Sequence, residues 1–140
     1  MIPDDIETWL LSNLSPSQLE YLREARAENR KLLRGLGVAE GSDFAQLYLK
    51  FGPDSVRGWY DLLGLEEIRE ATAYAHEELG VPKHYLAISG LEGDGVVLYH
   101  LRDGAVFDVT RGQFELLEQG RVPPIAPSVA GYLQWCKDRA

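Results

Sequence analysis

A chain of 140 residues, 45% hydrophobic and 26% charged, is long enough to bury a core of its own, and one domain spanning 1–140 is the expectation. The net charge of −8 argues against nucleic acid, whose affinity depends on clustered Lys and Arg. No apolar run reaches the roughly 18 to 20 residues of a membrane span, and the acidic start MIPDDIETWL lacks the basic residues of a signal peptide, so a cytoplasmic protein with no membrane partner is expected. Cys136, the single cysteine, rules out a disulfide framework within the chain and any metal cluster built on several cysteines.

In chain order, IPDDIETWLLSNL predicts a short helix with Ile6, Leu10 and Leu11 on one side. SPSQLEYLREARAENRKLLRGLG carries a full start signal: Ser15 as N-cap, Pro16 at the first helical position and Gln18 closing a capping box, with Gly35 or Gly37 as the stop. Its basic residues Arg23, Arg26, Arg30, Lys31 and Arg34 are interleaved with Glu24 and Glu28, which reads as a solvated helix face. In GSDFAQLYLKFGP, Phe44, Leu47, Tyr48 and Phe51 recur at i, i+3, i+4, i+7 behind a Ser42 cap, and Gly52-Pro53 stops the helix.

VRGWYDLLGL changes the period and reads as a short edge or core strand. LEEIREATAYAHEELG then predicts an amphipathic helix marked by Leu65, Ile68, Ala75 and Leu79 and ended by Gly80 and Pro82. HYLAIS, VVLYHL and AVFDVT are β-branched and aromatic, and Asp103-Gly104 between the last two predicts a tight hairpin with a type I′ turn. APSVAGYLQWCKDRA predicts a closing helix capped by Ser128, with Val129, Tyr132, Leu133 and Cys136 on its buried stripe.

Chemistry-bearing patterns are sparse. EGDGVV runs from Glu92 and Asp94 straight into valines, without the alternating oxygen ligands and closing glutamate of a calcium loop, so no metal is expected there. His76 lacks a second histidine at i+4 and reads as a solvated helix residue; His84 falls in a turn, and the strand face of His100 is open. There is no nucleophile elbow, phosphate loop or dinucleotide fingerprint, so neither a cofactor nor an enzyme is expected. The one catalytic grouping to be weighed is His100, Asp108 and Glu92 converging across a folded sheet.

The order of FAQLYLKFG, WYDLLGLEEIREA, LGVPKHYLAISGLEGDGVVLYHL and APSVAGYLQWC resembles the SUKH superfamily, which includes a yeast cell-wall-assembly regulator and many bacterial toxin-immunity proteins. The resemblance covers about Phe44 to Trp135 and rests on Tyr48, Phe51 and Gly52 at an aromatic helix end, Tyr85 to Ser89 after a proline, and the bend Gly93, Asp94, Gly95. The segment RGQFELLEQGRVPP stands outside the pattern as an insertion. What the resemblance implies is stoichiometric binding: an immunity protein that blocks a toxin by direct contact, or a regulatory or scaffold protein of the yeast kind; a small-ligand-binding protein is the further alternative.

The expected architecture is α+β, an antiparallel sheet of about four to six strands with helices packed on one side and at both chain ends. A basic protein toxin, a nuclease for instance, suits the acidic balance, because complementary charge raises association rate and specificity. Trp59 and Tyr60 are candidate interface anchors, with Asp61, Glu66 and Glu67 as an acidic rim and the bend residues Glu92 and Asp94 as a second acidic contact. For Trp59 a place in the core, and for the bend a solvated turn, are the competing assignments.

Overall fold

A computed structural model describes residues 1–58, 61–91 and 95–140. The chain opens with α1 (Asp4–Ser12) and α2 (Pro16–Gly35). At the start of α2 the Ser15 side chain accepts from the Gln18 N–H at 3.2 Å while Gln18 Oε1 accepts from the Ser15 N–H at 2.8 Å, the predicted capping box. Its end is set by Gly37, at φ +83°, where the N–H groups of Gly37 and Val38 donate back to the carbonyls of Arg34 and Leu33. In α1, Ile6 and Leu10 are buried but Leu11 is 44% exposed, because its direction is about 100° from that of Leu10 on a helix of 3.6 residues per turn.

The next helix begins as α3 (Asp43–Gln46), capped by Ser42, and widens into a π-helical turn at Leu47–Phe51, where the Gly52 N–H donates to the Leu47 carbonyl at 2.8 Å. Phe44, Leu47, Tyr48 and Phe51 are all buried as the periodicity predicted. A 3₁₀ turn at Pro53–Ser55 follows, then α4 (Leu65–Glu78).

Three antiparallel strands make the sheet, in the order β1 (Tyr85–Ala87), β2 (Gly95–His100) and β3 (Val106–Thr110). This confirms an α+β fold, but among the described residues there are three strands where four to six were expected. VRGWYDLLGL supplies no regular strand there: Leu62 forms a single bridge to Ser89, and Leu63 N–H donates to the Ile88 carbonyl at 2.9 Å. The hairpin between β2 and β3 is also different from the two-residue turn predicted. Asp103 keeps a negative φ, its Oδ1 accepts from the Ala105 N–H at 2.9 Å, and Gly104 alone turns left-handed at φ +79°, giving a four-residue loop between His100 and Ala105.

Both faces of the sheet are buried, which corrects the one-sided packing expected from sequence. Leu86, Val97, Tyr99 and Val106 face the larger core with α1, α2, α3 and α6 (Val129–Asp138), where Phe44 stacks on Tyr48 at a centroid distance of 4.9 Å and meets Tyr99 at a tilt at 4.5 Å. Tyr85, Ala87, Val96, Leu98, Phe107 and Val109 face a second core with Ala75 of α4 and with Phe114 and Leu117 of α5 (Phe114–Glu118). RGQFELLEQGRVPP is therefore the cover of that second face, through a 3₁₀ turn at Arg111–Gln113 and α5. Tyr132, Leu133 and Cys136 of α6 are buried as predicted, behind the Ser128 cap.

Each outer strand has hydrogen-bond partners on part of its far side. Along β1, Thr72 Oγ1 accepts from the Ala87 N–H at 2.9 Å, and His76 Nε2 donates to the Tyr85 carbonyl at 2.8 Å, so His76 is a half-buried edge partner where a solvated residue was expected. Along β3, Val106 exchanges hydrogen bonds with Ile125 and Ala126. No helix among the described residues is long and apolar enough to cross a membrane. The shape-conserving change Thr72→Val removes the acceptor under Ala87 and leaves a buried N–H without a partner; urea denaturation is expected to show a loss of about 1–3 kcal/mol, with Thr72→Ser retaining more stability than Thr72→Val.

Candidate partner-binding face

Of the acidic residues selected from sequence, Glu66 and Glu67 fall where α2 passes the π-turn and the start of α4. Gly64 is the N-cap of α4, and Glu67 Oε1 accepts from its N–H at 3.2 Å. Glu66 and Glu67 thus occupy the first helical turn, where unpaired N–H groups and the helix dipole favour negative charge. The chain entering α4 is tied to the core by Tyr48, whose hydroxyl donates to the Leu63 carbonyl at 2.7 Å. Burial first, and Glu67 second, raise the Tyr48 hydroxyl far above its ordinary range, so it remains a proton donor throughout accessible pH.

Between these elements lies a groove of about 490 Å³. Leu22 and Ala25 of α2 with Tyr48, Phe51 and Leu65 form its apolar lining; Glu28, Asp54, Glu66 and Glu67 supply its charge, and no Lys, Arg or His lines it among the described residues. The α2 stripe through Gln18, Tyr21, Leu22, Ala25, Glu28, Asn29 and Leu32 is the face turned to it. Gly52 closes the π-turn at φ +75° and ψ +166°, a conformation open essentially to glycine, and a Cβ there would stand 3.1 Å from Leu22 Cδ2.

A second, open groove of about 840 Å³ adjoins the first, sharing Gln18, Pro53 and Asp54 with it. Asp61 lines this one, but with Arg57 and Arg139 alongside, so its charge is mixed. The Arg139 guanidinium sits 4.0 Å from the centre of the Trp135 ring. Cys136 lies at the base, fully buried, with its thiol pushed up to about 11 by burial, against the smaller opposing effects of a Tyr132 hydrogen bond and Arg139. A thiol so protected is a packing group and a poor nucleophile near neutral pH.

Of the sequence candidates, the structure brings Asp61, Glu66 and Glu67 to adjoining grooves. Trp59, Tyr60, Glu92 and Asp94 lie outside the described residues. His100 and Asp108 do not converge. His100 pairs with Tyr85 and Asp108 with Val97, and since His100 and Val97 are three residues apart on β2, the two side chains leave opposite faces of the sheet. His100 Nδ1 instead accepts from the N–H groups of Arg102 and Asp103, both at 3.2 Å, and its ring meets Tyr85 edge-on at 4.8 Å. No group of three or more metal-binding side chains occurs among the described residues.

Sequence reasoning missed Tyr21, Leu22, Glu28, Asp54 and Phe51 as groove residues. The helical stripe on α2 was visible, but its interleaved charges masked the fact that only Leu22 and Leu33 of that 20-residue helix are buried. No protein-family model matches the chain, and a search of curated proteins returns no match.

Gly52→Ala is expected to cost about 1–3 kcal/mol in urea denaturation, from the strained backbone and the displaced Leu22. The buried thiol gives a second expectation. Unfolded, Cys136 loses its proton near the usual 9.0, whereas the folded chain holds it to about 11, so between these values the folded state binds more protons and stability falls as pH rises. Thermal unfolding followed across that window should show a falling midpoint, with a shallower fall in Cys136→Ala.

Proposed function

We propose that this chain is a non-catalytic protein-binding domain that works in the cytoplasm as an immunity protein, neutralising a basic toxin by stoichiometric contact. The observation that carries this is a groove with an apolar lining and, among the described residues, acidic side chains alone for charge, on a chain of net charge −8. An apolar centre with a charged margin is the usual anatomy of a protein interface, and the negative rim steers a basic partner and rejects acidic ones. The sequence resemblance to the SUKH superfamily supports the same assignment, since its bacterial members act by binding toxins.

Capture on the tagged protein from host lysate and secreted fraction, at low and high salt, tests it. The expected result is one basic domain, released as ionic screening rises, that arrests growth when expressed alone and is neutralised by an equimolar amount of this protein. Recovery of cytosolic factors without toxicity replaces the immunity assignment with a regulatory one of the yeast kind. If nothing binds under either condition, stoichiometric protein binding is wrong.

A further inference from the structure

We infer that the occupant of the groove beside α2 is a basic amphipathic helix of a partner protein, seated along α2 with its apolar side chains against Leu22 and Phe51 and its Lys or Arg side chains on Glu28, Asp54 and Glu66. This rests on the protein-binding assignment and specifies the surface and the partner's chemistry.

Charge segregation on α2 is the first argument. At about 100° per residue, Gln18, Tyr21, Leu22, Glu28, Asn29 and Leu32 all lie within about 60° of the direction of Ala25. The five basic residues of the helix, Arg23, Arg26, Arg30, Lys31 and Arg34, lie about 100° or more away, and all five are exposed. The helix therefore turns its positive charge to solvent and leaves the groove to carboxylates. Across the groove, Asp54, Glu66 and Glu67 are likewise exposed, and none of the four acidic residues is in an ion pair among the described residues. An apolar channel flanked on both sides by unpaired negative charge complements a cationic amphipathic segment.

The shape of the groove and the state of the sheet select a helix over a strand. From Gln18 to Leu32 the α2 stripe runs about 21 Å at 1.5 Å per residue, enough for about four helical turns lying alongside it. A volume of about 490 Å³ accepts the side chains of one helix face, leaving the charged face at the rim. Strand addition needs an open sheet edge, and the outer side of β1, the edge against which α4 packs, is bonded to Thr72 and His76. Tyr21, 68% exposed at the groove lip, presents a large amphipathic side chain where a helix would pass.

The test uses a fluorescein-labelled peptide of about 18 residues, with Leu at i, i+3, i+4, i+7 and Lys elsewhere, and a counterpart with Glu for every Lys. Fluorescence anisotropy measures binding to the full chain, and amide chemical-shift mapping locates it. Binding of the Lys peptide but not the Glu peptide, with shifts concentrated at Tyr21, Leu22, Phe51, Gly52 and Glu66, is expected. Glu28→Lys combined with Glu66→Lys should weaken it by about tenfold or more, and Tyr21→Ala should weaken it without altering the thermal unfolding midpoint, because the side chain is exposed. Absence of peptide binding, equal binding of both peptides, shifts centred on the groove around Arg57 and Arg139, or indifference to all three substitutions overturns the inference. If a toxin captured by the wild type binds the doubly substituted protein equally well, the groove assignment falls while protein binding stands. If the wild type captures no partner and binds no peptide, both fall.

Discussion

A sheet of three strands has one interior strand and two edges, and wherever an edge is covered its outward N–H and C=O groups need partners within the protein. The fold is organised around that constraint. Along β1 the partners are side chains, Thr72 and His76, four residues apart and so on one face of α4. At Val106, the start of β3, the partner is backbone, the Ile125–Ala126 strap that leads into α6. Fixing α4 against β1 places its first turn, with Glu66 and Glu67, beside the π-turn; anchoring the strap places α6 so that Cys136 packs under Gly58, a Cβ at which would lie 3.0 Å from the thiol sulfur. The edges thus determine where the helices that form the two grooves can go.

The groove itself depends on a local irregularity. A π-turn inserts an extra residue into the helix, and closing it requires the left-handed, extended conformation of Gly52 with Leu22 pressed against its Cα. The same turn carries Tyr48, whose hydroxyl holds the Leu63 carbonyl, so the chain enters α4 at a fixed height above the aromatic core. Apolar lining and acidic rim therefore come from one arrangement: the aromatic side chains of the π-turn beneath, the N-terminus of α4 above, and the stripe of α2 that bears Leu22 and Glu28 along the side.

Much of the local structure was legible because it is written in short-range physics. The Ser15–Gln18 capping box, the Ser42 and Ser128 caps, and the apolar periodicities of Phe44 to Phe51 and Val129 to Cys136 depend only on residues within a turn or two. The type I′ expectation failed because the Asp103 carboxylate satisfies Ala105, so one left-handed residue suffices where that turn needs two. One-sided packing failed although its contrary signal was present: Val96, Val97, Leu98 and Tyr99 run without a polar break, as strands buried on both faces do. In VRGWYDLLGL, Trp59 and Tyr60 lie outside the described residues, and Leu62 and Leu63 reach the sheet by a bridge and one hydrogen bond.

Sequence alone determined where α1, α2, α4, α6 and the start of α3 lie, the caps at Ser15, Ser42 and Ser128, the three strong strands, the buried state of Cys136 and the acidic balance of the chain, because propensity, periodicity and net charge are local or additive properties; the π-turn and α5 it did not show. Tertiary structure alone decided which carboxylates share a groove, which edge groups are satisfied and by whom, and that His100 and Asp108 part to opposite faces. Those outcomes depend on strand register and on the placement of α2 against α4, set by contacts between residues far apart in the chain, for which neither composition nor spacing carries a signal.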